Sequence, residues 1–198
     1  LYTDGSNSLG GENFDQAIAD RLEERCHQLH GTRPSEDPFG RRRLLAEAER
    51  VKRTLSVSEH ATAHVDCQGT LLGLDISRSE FEDWTQHLLL QTRALVELAT
   101  SQAGIEWDMI DCILPAGGAS RMPMVGRMLQ ELTGKVPESN AVPELAAVYG
   151  AAIYADLLAR NDDLCGLSLE IGDAHPSISM CNVTPHSIGI LVSAQGRP

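Results

Sequence analysis

Aromatic residues are scarce: Phe, Tyr and Trp make up 4 % of the 198 residues. Any core must therefore be aliphatic and alanine-rich, and 42 % hydrophobic residues suffice to build one, which excludes a chain disordered throughout. Cations are also in deficit, with 16 Lys and Arg against 28 Asp and Glu and a net charge of −12. Affinity for nucleic acid comes largely from cations on phosphates, so this balance argues against a nucleic-acid partner and suits a solvated acidic surface. No apolar run approaches the ~20 residues that span a bilayer, so no membrane partner is expected. The sequence holds no CxxC pair, no HExxH and no GxSxG elbow. It also lacks a phosphate-binding GxxxxGK followed by Ser or Thr. The five cysteines, Cys26, Cys67, Cys112, Cys165 and Cys181, are widely spaced and odd in number. They disfavour a zinc site or a disulfide framework and fit a reducing cytosol. His27 and His30, at i and i+3, read as solvent-exposed rather than as metal ligands. Leu1 to Gly5 has neither a basic head nor an apolar signal core. It reads like the end of a strand entering a loop, as expected of a piece cut from a longer chain.

What is present begins with a loop over residues 5–11, followed by a helix with Phe14, Ile18, Leu22 and Leu29 along one side. Gly31 to Gly40, with Pro34 and Pro38, breaks it. The next predicted helix, Arg41 to Leu55, has Leu44, Ala48, Val51 and Leu55 as its apolar stripe. Ala61–Val65 and Leu71–Ile76 flank the turn formers Asp66 to Gly69 and predict a hairpin. Ser77-Arg78-Ser79-Glu80 has capping-box spacing and starts the longest helix, to about Gln102. Phe81, Trp84, Leu88, Leu95 and Leu98 give that helix its apolar side. Pro143 opens a further helix crowded with small residues, read as a packing surface. Strand-like pieces lie beyond it at 168–171, 177–181 and 187–192.

Two glycine turns could receive a ligand. Cys112-Ile113-Leu114 predicts a short buried strand that runs into Ala116-Gly117-Gly118-Ala119. Ser120 and Pro123 then open a helix with Val125, Met128, Leu129 and Leu132 on one face, closed by Gly134. A strand ending in glycines before a helix exposes backbone N–H groups and the positive end of a helix dipole. Such a pair is also, and more often, a tight turn. The second turn is Leu9-Gly10-Gly11. Between them in sequence, Glu49, Lys52, Arg53 and Ser56 fall at i, i+3, i+4 and i+7 on one helix face. That face could be solvated, with a Glu49–Arg53 ion pair, or could serve one ligand. Arg53 and Arg121 are flat cations able to stack on an aromatic base from two sides. Glu49 and Lys52 suit ribose hydroxyls, one accepting and one donating.

Four ordered segments carry a family resemblance. Leu9 to Asp15 resembles the LGGEDFD of DnaK-type chaperones, the heat shock protein 70 family. Glu49 to Ser56 resembles their ERAKRTLS, Ile113 to Pro123 their LVGGSTRIP, and Pro143 to Ala152 their PDEAVAYGAA. The resemblance implies an α/β chain with the actin-like ATPase (ribonuclease H-like) fold, here the second lobe of a larger two-lobed nucleotide-binding domain. It implies an entry strand and loop over 1–8, a helical plus hairpin subdomain over 9–104 whose helix 41–56 faces adenosine, and an actin-like α/β lobe over 105–163. Residues 164–198 become a linker and the start of a peptide-binding domain, since Val183 to Ile190 resembles DVTPLSLGIE. The cofactor is ATP or ADP, with Mg2+ in the complete domain only. Glu49, Lys52, Arg53 and Ser56 match the family's adenosine contacts, Gly117, Gly118 and Arg121 its other side, and Glu144 sits nearby. Unfolded peptides, J-domain co-chaperones and nucleotide exchange factors are the implied partners, and the cytoplasm the implied location.

The sequence departs from the family pattern at Ala119 for its Ser, Glu144 for its Asp, Asn13 for an Asp beside the first glycine pair and Asn182 near the linker, while residues 164–181 replace a shorter apolar linker. The family's phosphate loops, catalytic lysine and magnesium-orienting acids match positions before Leu1. No catalytic or metal residue is therefore assigned here, and these 198 residues alone are expected to lack ATPase activity and to bind nucleotide weakly. Two other readings compete: an actin-like ATPase or sugar kinase of different purpose, which would lack the ERAKRTLS-like helix, and a divergent nucleotide-binding or protein-interaction module without ATPase activity.

Overall fold

The computed structural model describes residues 5–67, 69–138, 145–160, 167–169 and 178–180. It is mixed helix and strand and divides into two compact units, Leu1–Ala147 and Val148–Pro198. In the first unit, helix α1 (Gly11–His30) and helix α2 (Pro38–Val57) are joined by a bend with a 3-10 turn at Pro34–Glu36. Strands β1 (His60–Cys67) and β2 (Thr70–Ser77) come next as an antiparallel hairpin, in register from Cys67↔Thr70 to His60↔Ser77. The long helix α3 (Arg78–Ala103) and the shorter α4 (Pro123–Thr133) complete the unit.

Each element starts and stops where local chemistry requires. The Gly10 N–H donates to Asn13 Oδ1 at 2.7 Å, so the Asn that departs from the family pattern caps α1. Gly31, at φ +69°, ends the helix in the left-handed conformation. Asp37 accepts from the Gly40 N–H and, with Pro38 at the first helical position, starts α2 three residues earlier than the periodicity predicts. The Ser77–Glu80 capping box starts α3 as expected, and Gly104 closes it.

The apolar faces meet in one core. Phe14, Ile18 and Leu22 of α1 pack with Leu44, Ala48, Val51 and Leu55 of α2 and with Phe81 and Leu88 of α3. Phe14 and Phe81 touch edge to face, their ring centroids 6.4 Å apart. Strand β1 buries every second residue, Ala61, Ala63, Val65 and Cys67. Leu29, expected on the apolar side of α1, is instead 59 % exposed, and Cys26 takes the buried position one turn earlier.

Three expectations are corrected. Cys26 and Cys67 form a disulfide across α1 and β1, with Cα atoms 6.2 Å apart, whereas the spacing argued for reduced thiols. A separation of 41 residues carries no local signal; only the fold brings the pair together. Among the described residues Cys112 is free and exposed. Second, residues 112–114 do not form a strand: no described strand pairs with them, and Leu114 is 67 % exposed. A three-residue apolar run needs neighbours to become a strand. Here it is held only locally, by the Glu138 N–H donating to Ile113 O at 2.9 Å and by Lys135 Nζ donating to the carbonyls of Trp107 and Ile110. Third, Ser120 lies in a 3-10 turn, Gly118–Arg121, and Pro123 alone is the first residue of α4.

Helix α5 (Ala146–Arg160) carries the small residues read as a packing surface, and its larger Val148, Tyr149 and Ile153 are each more than half exposed. Strands β3 (Leu167–Leu169) and β4 (Ile178–Met180) pair antiparallel, where two of the strand-like pieces were expected. The third, at 187–192, lies outside the described residues. Among the described residues no helix is long and apolar enough to cross a membrane.

The Cys26–Cys67 bond closes a loop of 41 residues, which the chain-entropy estimate values at about 4 kcal/mol. Adding reductant, or changing Cys26→Ser, is expected to lower the urea midpoint by a corresponding amount. Equal midpoints with and without reductant, together with a full free-thiol count in the native chain, would show that the bond is not formed.

Candidate functional site

The first turn of α1, one face of α2 and the 3-10 turn at Gly118–Arg121 enclose a cleft of about 880 Å³. Glu49, Lys52, Arg53 and Ser56 line it from α2, and Gly117, Gly118, Ala119 and Arg121 from the turn. Seven of the eight residues predicted for a nucleoside site thus share one cavity, although 64 residues separate Arg53 from Gly117. The eighth, Glu144, lies outside the described residues. Gly11, from the second predicted glycine turn, lines the cleft as well. Glu12, Asp15, Val57 and Met122 also line it and were not predicted. For Glu12 the signal was its place directly after that turn. Asp15 comes one helical turn after Gly11, on the same side of α1.

Helical spacing and the buried stripe fix the α2 face. With Leu44, Ala48, Val51 and Leu55 inward, Glu49, Arg53 and Ser56 must point elsewhere. Glu49 is half-buried, and Arg53 is largely exposed and donates to Glu49 Oε1 at 2.6 Å. The solvated ion pair and an orientation toward the cleft therefore coexist on the same face. Ser56 Oγ donates to Lys52 O at 3.1 Å, leaving its lone pairs for an incoming donor.

Lys52 is the exception on this face. It is 9 % exposed, and its ammonium donates to Asp15 Oδ2 at 2.7 Å and to Gly11 O at 3.0 Å. Two of three donors are thus spent on α1, and the ammonium sits beside the open face of Gly11. A Cβ built at Gly11 would meet Lys52 Nζ at 3.4 Å and Ala119 Cβ at 3.7 Å, so both glycine turns approach each other at the cleft floor. Burial pushes the Asp15 carboxyl above the usual carboxylate range, against the hydrogen bond and charge of Lys52, which draw it down. Asp15 Oδ1 is buried with no partner among the described residues.

Across the cleft, Gly117 has φ +81°, a conformation that glycine adopts without strain. It leaves no side chain between the backbone and a ligand. The turn is tightened by Ser120, whose hydroxyl donates to Gly117 O at 2.7 Å. Met122, 2 % exposed, anchors the end of the turn in the core. Arg121 is exposed at the cleft edge. Two guanidinium groups, a carboxylate, a hydroxyl and open glycine backbone thus face one cleft and supply both donors and acceptors. Among the described residues no group of three or more His, Cys, Asp or Glu is placed to hold a metal ion.

Asp15→Ala is expected to cost about 3 kcal/mol in urea unfolding at neutral pH, because it leaves the Lys52 ammonium buried without its counter-charge. Asp15→Asn probes the carboxyl's ionisation. A folded-state pKa held above the unfolded value gives stability that is full below the ordinary carboxyl range and is lost as pH rises through the raised value. Relative to Asp15→Asn, the native chain is therefore expected to lose stability with rising pH across that window. A difference of the opposite slope would contradict the burial-dominated environment.

The profile of the family described as Hsp70 protein matches residues 1–193. The chain is 35 % identical to the chaperone protein DnaK of Thermosipho melanesiensis over 97 % of its own length and 32 % of that protein's. It is 34 % identical to the chaperone protein DnaK of Halobacterium salinarum over 96 % of its length and 29 % of that protein's. For the chaperone protein DnaK of Thermotoga petrophila the figures are 35 %, 97 % and 32 %. The chain thus spans about a third of the length of these curated relatives. A profile match across nearly the whole chain and a one-third identity to DnaK proteins of bacteria and an archaeon make it a member of the Hsp70 family.

Proposed function

We propose that this chain is the second lobe of the nucleotide-binding domain of a DnaK-type chaperone, with the actin-like fold, and that its cleft holds the adenosine end of ATP or ADP. The observation that carries this reading is the single 880 Å³ cavity shared by the α2 face and both glycine turns. In it, Arg53 and Arg121 stack on the base from opposite sides. Glu49 accepts from ribose hydroxyls, and Ser56 and the third Lys52 donor complete the polar lining. Gly117 and Gly118 let the sugar approach backbone, and Glu144 is proposed as a further contact on the family resemblance alone. Ala119 lacks the hydroxyl of its family counterpart, so binding on that side rests on backbone groups.

The subdomain division, with a helical plus hairpin part over 9–104 and an α/β part over 105–163, belongs to the same proposal. In the complete protein, Mg2+ would neutralise developing phosphate charge, and hydrolysis would drive cycles of peptide binding and release. Unfolded peptides, J-domain co-chaperones and nucleotide exchange factors are the proposed partners, and the cytoplasm the proposed location. A net charge of −12 gives no support to a nucleic-acid partner.

The test is titration with a fluorescent adenine nucleotide. A cation stacked on a π face contributes about 0.5–2 kcal/mol, so Arg53→Ala and Arg121→Ala are each expected to weaken binding by roughly 2- to 30-fold. Binding that neither substitution changes would reject the base clamp.

A further inference from the structure

The hairpin has two outer edges, and only one is sealed. On β1 the His64 N–H donates to Glu47 Oε1 at 2.6 Å, and the Thr62 carbonyl accepts from Arg50 Nη2 at 2.6 Å. Both partners stand on α2. These backbone groups therefore point away from β2. The register sets His64 opposite Gly73 and Thr62 opposite Asp75. Directly opposed residues of an antiparallel pair share the inward or outward sense of their backbone groups. Gly73 and Asp75 thus present N–H and C=O along the outer edge of β2, where no described residue bonds them.

A cavity of about 440 Å³ runs along this edge and shares no lining residue with the nucleoside cleft. Gly73, Leu74, Asp75 and Ile76 line it consecutively. Successive strand residues face opposite sides of a sheet, so a cavity that touches four in a row must lie edge-on. The facing wall is α1, through Leu22, Arg25 and Gln28, and Trp84 of α3 closes one end. Gly73 keeps the middle open: a Cβ there would meet only Thr62 Cγ2, at 3.7 Å. Glycine inside a strand is suited to the close approach of another backbone.

The charges in the groove favour one kind of occupant. Its three acids are engaged: Glu24 with Arg21 at 3.0 Å, Asp75 with the Thr62 hydroxyl at 2.7 Å, and Glu80 with the Ser77 hydroxyl at 2.8 Å. Arg25 and Gln28 line the groove without a hydrogen bond to a described acceptor, and the charge of Arg25 acts on the nearby Glu80 carboxylate, itself bonded by the Ser77 hydroxyl. Arg21 lies 6.0 Å from the Trp84 ring, leaving an apolar floor of Leu22, Ile76 and the indole.

We propose that this groove binds an extended peptide segment of a partner protein as a third strand on β2. Main-chain bonds form to Gly73 and Asp75, an apolar side chain fills the space between Leu22 and Trp84, and a carboxylate meets Arg25.

The test uses fluorescein-labelled octapeptides of alternating Val, Thr and Leu, each with a Glu at one of the eight positions. Saturable binding by anisotropy is expected, with slowed hydrogen exchange at the Gly73 and Asp75 amides. Arg25→Glu, an exposed change, is expected to weaken binding at least tenfold, as is N-methylation of the peptide amides that face β2, which leaves the protein intact. Gly73→Pro removes the outward N–H and is expected to abolish binding. Absence of saturable binding across the set would overturn the proposal, as would indifference to N-methylation or equal binding when Lys replaces Glu. Concentration-dependent dimerisation lost in Gly73→Pro would assign the edge to a second copy instead.

Discussion

The candidate site depends on the contact between Lys52 and the first turns of α1. The ammonium is nearly buried and is held by Asp15 Oδ2 and Gly11 O, so it fixes α1 against α2 at the point where the cleft opens. The core packing of Phe14, Ile18 and Leu22 against Ala48, Val51 and Leu55 sets the helices side by side, and the Lys52 contact adds a polar tie at the cleft end of that interface. Burying an ammonium and a carboxylate costs several kcal/mol in desolvation before their attraction offsets it. Stability alone does not favour such a pair over an apolar one. Position does, because the pair sets a buried cation at the floor of a cavity whose walls carry Glu12, Glu49, Arg53 and Arg121.

The two walls are built differently. The α2 wall is rigid because its opposite face is core: Leu44, Ala48, Val51 and Leu55 are all buried. The glycine wall is a short 3-10 turn whose stiffness comes from α4 on its C-terminal side. Met122, Met124 and Met128 are buried, and Arg127 pairs with Glu82 of α3 at 2.5 Å. Upstream of the turn, residues 110–116 have no regular structure and expose Leu114, and they are held by hydrogen bonds to the Ile110 and Ile113 carbonyls rather than by a strand ladder. A ligand that bridges Arg53 and Arg121 would add a further constraint.

Much of this was readable from residue order. The α2 stripe and its polar face follow from 3.6-residue periodicity, and the start of α3 follows from Ser77 and Glu80. That residues 53 and 121 share a cavity does not follow from spacing; the ordered family motifs implied it and the fold realises it. Other features were invisible for physical reasons. The Cys26–Cys67 bond joins positions 41 residues apart, and no local pattern encodes that distance. Lys52 looked like its neighbours on the α2 face, and its burial is set by Asp15 on another helix. Ile113 and Leu114 have the composition of a strand, but pairing is a property of neighbours, and none among the described residues supplies it.

That the cleft between α1, α2 and the 117–121 turn receives adenosine is tested most directly by amide NMR spectra of the uniformly 15N-labelled chain titrated with adenosine. Saturable shifts are predicted at the Gly11, Gly117 and Gly118 amides, with the β1–β2 hairpin unperturbed. Shifts confined to the hairpin, or none at these glycines at millimolar adenosine, would contradict the assignment.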